Sequence, residues 1–128
     1  MIKVKKTQNK GRGIFAVQDI PKGTLIEVAP AIVLPSEQLQ ILDKTKVLDY
    51  YFVQPLEYAT TKKIKGYFVL GLASLCNHAE DPNSYVEWIE DEVGVWSHLI
   101  AQKHIKIDQE VTLFYTNINE YPDGETFV

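Results

Sequence analysis

The sequence has little cysteine, no long apolar stretch and no excess of positive charge. Its single cysteine, Cys76, excludes an internal disulfide framework and a cysteine-rich zinc cluster, so no metal site is expected. No apolar run approaches the ~20 residues that a membrane-spanning helix needs, and no secretory signal opens the chain. A net charge of −4 argues against nucleic acid as the main partner, because phosphate binding requires a basic surface.

These features indicate a protein of a reducing, cytoplasmic-type compartment, with secretion or a host nucleus as open alternatives. We expect no membrane association. The acidic balance is compatible with a cationic partner, such as a lysine-rich peptide.

The composition is typical of one small globular domain. Its 128 residues are 45% hydrophobic and 23% charged, which allows a modest buried core. Short apolar or alternating stretches separated by turn residues predict strands. These strands cover residues 2–5, 13–17, 24–28, 67–69, 85–89, 93–101 and 110–115, and residues 85–101 form a hairpin.

The sequence predicts little helical structure. Leu39 and Leu42 have helical spacing after Ser36, which predicts one helix over 37–47 with Ser36 as its N-cap. Pro30 cannot donate a ladder hydrogen bond, so residues 31–34 are predicted to form an edge or bent strand. The sequence therefore predicts a mostly-β single domain of short strands with one short helix.

The most informative stretch is residues 70–85, where an apolar segment changes abruptly into a polar turn. Asn77 and His78 lie at the change. Asp81 and Asn83 flank a proline in the turn, and each is expected to hydrogen-bond its own backbone. A buried segment that emerges at Asn77 and His78 is suited to hold a small polar ligand.

This stretch and others resemble the motifs of SET-domain protein lysine methyltransferases, in a minimal form like the small viral and bacterial members. Gly-Arg-Gly-Ile-Phe-Ala at 11–16 is similar to the opening Gly-x-Gly motif. Ile-Pro-Lys-Gly-Thr-Leu-Ile-Glu at 20–27 resembles the turn and strand that follow it. Asn77-His78 with Pro-Asn at 82–83 matches the asparagine-histidine motif. Ile105 with Glu-Val-Thr-Leu-Phe-Tyr at 110–115 matches the closing motif.

The chain departs from the family pattern in several places. Ala79 stands where serine usually follows the histidine, and Asp108-Gln109 lacks the glycine expected before Glu110. The cysteine-rich flanking segments of many eukaryotic members are absent. We therefore expect one SET domain over 1–128, in which residues 116–128 form a C-terminal flap or tail that completes the substrate channel.

The resemblance implies a β-clip-like SET fold with a knot-like threading near the C-terminus. It also implies methyl transfer from S-adenosyl-L-methionine to a lysine ε-amine of a histone or another basic protein. Tyr115 has the position of the catalytic tyrosine. The implied cofactor-binding residues, which act partly through their backbone, are Gly11, Arg12, Gly13, Asn77 and His78. A homodimer is a further expectation, because small members of the family can dimerise.

The resemblance also assigns the substrate channel. Tyr50 is expected to form an aromatic wall that suits a methylated ammonium. Leu113 lies two residues before Tyr115 and would share its face in a strand. The family tunes product number at this position through phenylalanine or tyrosine. Because leucine takes less room, we expect more than one methyl group to be added.

Other classes of function remain as alternatives. A catalytically inactive SET-like module could bind a peptide, but it would need neither Tyr115 nor Asn77. A cysteine hydrolase could use Cys76 with His78. Cys76 lies at the end of an apolar run, however, where a small buried hydrophobe is expected.

Overall fold

The computed structural model describes residues 1–42, 44, 46, 50–53 and 65–115. Its strands form two sheets, with strand orders β1-β2-β9-β6 and β4-β5-β3-β8-β7. The strands are β1 Ile2–Lys6, β2 Arg12–Ala16, β3 Leu25–Leu34, β4 Tyr51–Phe52, β5 Gly66–Val69, β6 Asn77–His78, β7 Ser84–Glu90, β8 Val95–Ala101 and β9 Glu110–Leu113. The helical elements are α1 Ser36–Leu42 and a 3-10 turn at Leu72–Leu75. This confirms the predicted mostly-β fold.

The four-stranded sheet joins the beginning, the middle and the end of the described chain. β2 pairs antiparallel with both β1 and β9, whereas β6 pairs parallel with β9, placing Asn77 opposite Thr112. Just before β9, Asp108 has a φ of 70°. Aspartate tolerates this left-handed conformation better than most residues, so the turn keeps the backbone geometry that glycine favours. The knot-like threading remains a prediction.

The five-stranded sheet contains the predicted hairpin of β7 and β8, which pair from Ser84 with Ala101 to Glu90 with Val95. The prediction of an edge or bent strand after Pro30 is confirmed for residues 32–34, which pair with β5 alone, whereas Ala31 pairs with both β5 and β8. Leu70 N donates to Pro30 O, while the β5 pairing begins at Ala31. The missing N–H of Pro30 therefore faces the position just beyond the end of β5.

The helix is shorter than the sequence predicts. It begins at Ser36 rather than after it, and it ends at Leu42. The Ser36 hydroxyl contacts the Glu37 carboxylate at 3.5 Å, so the expected N-cap is not formed by this side chain. Residues 43, 45 and 47 of the predicted helix lie outside the described residues.

The hairpin tip has more structure than a solvated acidic turn. Asp91 Oδ1 accepts hydrogen bonds from the Trp96 indole at 3.0 Å and from the amides of Val93 and Gly94. These bonds, led by that of Trp96, lower the pKa of the Asp91 carboxyl below its usual range. The carboxylate thus organises the turn between the strands.

One apolar core fills the space between the sheets. It is built from the inward-facing residues of both, and its fully buried members include Ile14, Ile20, Leu99, Ile105 and Val111. Ile20 and Ile105 also bridge through their backbones and connect the two turns that precede β3 and β9. In the described part of the chain, no helix is long and apolar enough to cross a membrane.

Candidate functional site

The predicted site residues meet where β2, β9 and β6 lie side by side. The Asn77 side chain reaches across from β6, and its amide nitrogen Nδ2 donates to Arg12 O at 3.2 Å and to Glu110 Oε2 at 2.7 Å. Asn77 is only 4% exposed. One side chain thus connects the glycine motif, the asparagine-histidine motif and the closing motif.

The two glycines around Arg12 have different reasons to be glycine. Gly11 has a φ of 74°, a left-handed conformation, and its carbonyl accepts hydrogen bonds from both the amide and the hydroxyl of Thr7. Gly13 is needed for close packing. A Cβ atom there would lie 2.5 Å from Glu110 Oε2 and 2.9 Å from Asn77 Nδ2.

Tyr115 is held at both ends by the segment that carries Asn77. Its hydroxyl donates to Cys76 O, and its backbone N–H donates to His78 Nδ1 at 2.9 Å. Because Nδ1 accepts, a neutral His78 carries its proton on Nε2, which lies 3.5 Å from Glu80 Oε1. The His78 ring therefore anchors the backbone of Tyr115.

The turn after His78 differs from its prediction. The expectation that Asp81 and Asn83 bond their own backbones is wrong. Asn83 instead bonds β9, accepting from Thr112 N at 3.0 Å and donating to Glu110 O at 2.8 Å. Asp81 pairs with Lys103 at 2.6 Å. Polar side chains stabilise β9 here because its neighbour β6 has only two residues.

Beside this network lies a cavity of about 240 Å³. Leu113 lines it, in line with the alternation that buries Leu113 and Tyr115 and leaves Phe114 half exposed. The other residues that line the cavity are largely aromatic or apolar. They are Phe52, Val53, Pro82, Ser84, Tyr85, Val86, Trp88, Gln102 and Phe114. The ring of Phe52 also packs edge-on against Tyr115, with 6.2 Å between centroids.

Tyr50 is partly exposed and is not one of the residues that line this cavity. Phe52, by contrast, both lines the cavity and packs against Tyr115. The role of Tyr50 as a channel wall stays a prediction.

Cys76 has none of the properties of a nucleophile. It is fully buried, its Sγ lies 3.9 Å from Leu72 O, and burial raises the pKa of its thiol, with smaller contributions from Glu27 and Glu110. A protonated, inaccessible thiol cannot attack a substrate. The geometry therefore disfavours the hydrolase alternative.

Sequence reasoning missed the roles of two carboxylates. Glu27 Oε2 and Oε1 accept from the amides of Leu72 and Ala73 at 2.9 and 3.2 Å, which caps the 3-10 turn leading to Asn77. Glu110 holds the Asn77 amide. Both belong to motifs identified in the sequence, but nothing in the sequence indicates which atoms they contact.

Solved structures identify the fold. A Plasmodium falciparum protein provisionally described as a histone methyltransferase superposes with a TM-score of 0.70 at 24% identity, covering 90% of this chain and 96% of that one. The Neurospora SET domain protein DIM-5, a histone lysine methyltransferase, gives a TM-score of 0.66 at 20% identity, covering 91% of this chain and 52% of that one. At these identities the likeness establishes a SET-type fold.

Sequence comparison establishes the family. The SET domain family model matches residues 11–116. A Schizosaccharomyces pombe histone-lysine N-methyltransferase, H3 lysine-37 specific, is 30% identical over 89% of this chain and 72% of its own length. A Saccharomyces cerevisiae histone-lysine N-methyltransferase, H3 lysine-36 specific, is 32% identical over 94% of this chain but only 16% of its own length. The chain belongs to the SET-domain family and is by class a protein-lysine N-methyltransferase.

Methyltransferases of this family use S-adenosylmethionine, and the residues present fit it. Gly13 lets the backbone of the glycine motif lie directly against Asn77, because any side chain there would collide with Asn77 and Glu110. Lys10 Nζ lies 3.4 Å from His78 O, which adds a cation to the donors of the glycine motif. A cation attracts the carboxylate of an amino-acid group, and an amide oxygen can accept a hydrogen bond from its ammonium. Among the described residues, no cluster of histidine, cysteine and carboxylates could hold a metal ion.

Proposed function

We propose that this protein transfers methyl groups from S-adenosylmethionine to the ε-amine of a lysine in a histone or another basic protein. One observation carries the proposal: the segment of Cys76, Asn77 and His78 binds Tyr115 at both ends and also bonds the glycine motif. A catalytic tyrosine and a cofactor site are thereby fixed relative to each other.

The hydroxyl of Tyr115 is oriented for the reaction. Because its proton is donated to Cys76 O, the hydroxyl oxygen acts as an acceptor, which suits weak C–H···O contacts from a polarised methyl group and orientation of the amine. S-Adenosylmethionine supplies that electrophilic methyl when bound. Positioning of this kind accounts for most of the acceleration that we expect.

The acceptor lysine must lose its proton before it can attack. A free lysine has a pKa near 10.4, and an apolar channel lowers the pKa because it disfavours the charged form. The cavity beside Leu113 offers such surroundings, with Phe52, Trp88 and Phe114 in its wall. We expect the proton to leave through water rather than through a dedicated base.

The cofactor is assigned to the residues around Asn77. Backbone groups of Gly11, Arg12 and Gly13 meet its amino-acid end, with the Arg12 charge nearby. Asn77 meets its ammonium, and His78 contributes its backbone to the adenine. The Lys10 cation favours the same carboxylate.

The substrate class rests on charge and on relatives. The chain has a net charge of −4, which favours a basic partner. The names of the two yeast relatives specify lysines of histone H3. These observations support a lysine within a basic segment as the acceptor.

We further propose that more than one methyl group is added. Leu113 is 3% exposed, lines the cavity and has no hydroxyl to hold a water beside the amine. Leu113→Tyr is expected to shift the product towards monomethyl-lysine. Intact-mass analysis at long reaction times checks this, and strictly monomethyl product from the unsubstituted protein would overturn it.

The proposal is tested by incubating the protein with S-adenosylmethionine and a panel of histone-tail and other basic peptides. Mass spectrometry is expected to locate added methyl groups on lysine, and calorimetry is expected to detect binding of S-adenosylhomocysteine. Peptide binding without binding of either S-adenosyl compound would instead indicate the inactive binding module.

A further inference from the structure

The charge of Glu110 is not neutralised by any ion pair in the described part of the chain. This half-buried residue at the start of β9 places Oε2 2.7 Å from Asn77 Nδ2. Among the described residues, Lys103 forms an ion pair with Asp81, and the contact of His78 with Glu80 at 3.5 Å also leaves Glu110 without a cation. Something other than ion pairing must therefore explain why a carboxylate lies at this position.

The two partners of Asn77 fix the orientation of its amide group. Arg12 O is a carbonyl oxygen and Glu110 Oε2 belongs to a carboxylate, so both can only accept. The group that lies between them must therefore be the NH2 group, which donates one hydrogen to each oxygen. The oxygen Oδ1 therefore points to the opposite side of the amide.

Oδ1 is available to a ligand. Among the described residues, no group donates a hydrogen bond to Oδ1, yet Oδ1 is not one of the buried atoms that lack a partner. Ser97 Oγ is the sole buried side-chain oxygen or nitrogen without a partner in that part of the chain. Because Oδ1 has no partner and is not fully buried, it is open to solvent, although the Asn77 residue as a whole is only 4% exposed.

We infer that Glu110 is a positioning residue that turns Asn77 so that Oδ1 accepts from the ammonium of the cofactor. The inference rests on the proposed function and specifies how that site recognises the amine. Without Glu110 the amide could rotate and present its NH2 group, which would repel an ammonium. Gly13 belongs to the same arrangement, because a Cβ there would displace the carboxylate.

The test separates the reach of the side chain from its charge. Glu110→Asp keeps the charge but withdraws the carboxylate from Asn77, whereas Glu110→Gln keeps the length and an acceptor oxygen but removes the charge. The probes are S-adenosylhomocysteine, which has the amino-acid group, and 5′-methylthioadenosine, which lacks it. Dissociation constants are measured by calorimetry, and folding is checked by thermal unfolding.

We expect Glu110→Asp to weaken S-adenosylhomocysteine about tenfold, with 5′-methylthioadenosine changed by less than about twofold. Glu110→Gln is expected to keep both affinities within about threefold of the unsubstituted protein. A loss confined to Glu110→Gln would show that charge matters and position does not. An equal loss for both ligands would show a purely structural role. Either result overturns the inference but leaves the proposed function intact. The proposed function itself fails only if the unsubstituted protein binds no S-adenosylhomocysteine.

Discussion

The two sheets of this protein are held together in different ways. The five-stranded sheet rests on long backbone ladders, such as the seven paired positions between β7 and β8. In the four-stranded sheet, β6 and β9 share only two paired positions, Asn77 with Thr112 and His78 with Leu113. Side chains of Asn77, Asn83 and His78 supply the missing connections to neighbouring backbone.

The difference has a functional consequence. Where backbone ladders provide the stability, a side chain can be replaced with little effect beyond packing. Where side chains provide it, the same groups that hold the strands also position the candidate site. We therefore expect substitutions in the four-stranded sheet to affect ligand binding and turnover, and those in the five-stranded sheet to affect stability.

The largest effect is expected for Tyr115→Phe. The ring is retained for packing against Phe52, but the hydroxyl at the methyl group is lost, and turnover should fall on the order of a hundredfold. Binding of S-adenosylhomocysteine should survive. Single-turnover kinetics and calorimetry check the two parts. The matched control is Tyr67→Phe in the five-stranded sheet, and if both variants keep full turnover the catalytic assignment is wrong.

Asn77→Ala should act through affinity for the cofactor. The substitution removes the donor to Arg12 O and Glu110 Oε2, and unsatisfied buried partners cost roughly 1–3 kcal/mol. The dissociation constant of S-adenosylhomocysteine should therefore rise about tenfold or more. Calorimetry on the folded variant decides this, and an unchanged affinity would remove Asn77 from the site.

The smallest effects are expected for two buried serines of the five-stranded sheet. Ser84 donates to Asn83 Oδ1 at 3.1 Å, whereas the hydroxyl of Ser97 has no partner within the described chain. Ser84→Ala should lower the free energy of unfolding by about 1 kcal/mol, and Ser97→Ala should leave it unchanged or raise it slightly. Urea denaturation measures both. A larger loss for Ser97→Ala than for Ser84→Ala would contradict the ranking.

The sequence by itself determined the longer strands and the motifs that the chain carries, whereas the two-residue strands β4 and β6 were not predicted. Alternating residues in 93–101 predicted β8 correctly, because a strand with one buried face must repeat every second residue. Gly11, Asn77, His78 and Tyr115 could be selected because each motif is a short local pattern. Pro30 indicated the edge at residues 32–34, but local chemistry could not tell that one strand continues through Pro30 and pairs with both β8 and β5.

Only the tertiary structure decided which atoms of these motifs meet. Glu110 lies 33 positions from Asn77 in the chain, and their hydrogen bond exists because β9 is placed between β2 and β6. Phe52 likewise reaches Tyr115 only through the packing of the two sheets. Contacts between residues distant in sequence depend on strand order and register, and these are fixed by burial of the whole core rather than by any local segment.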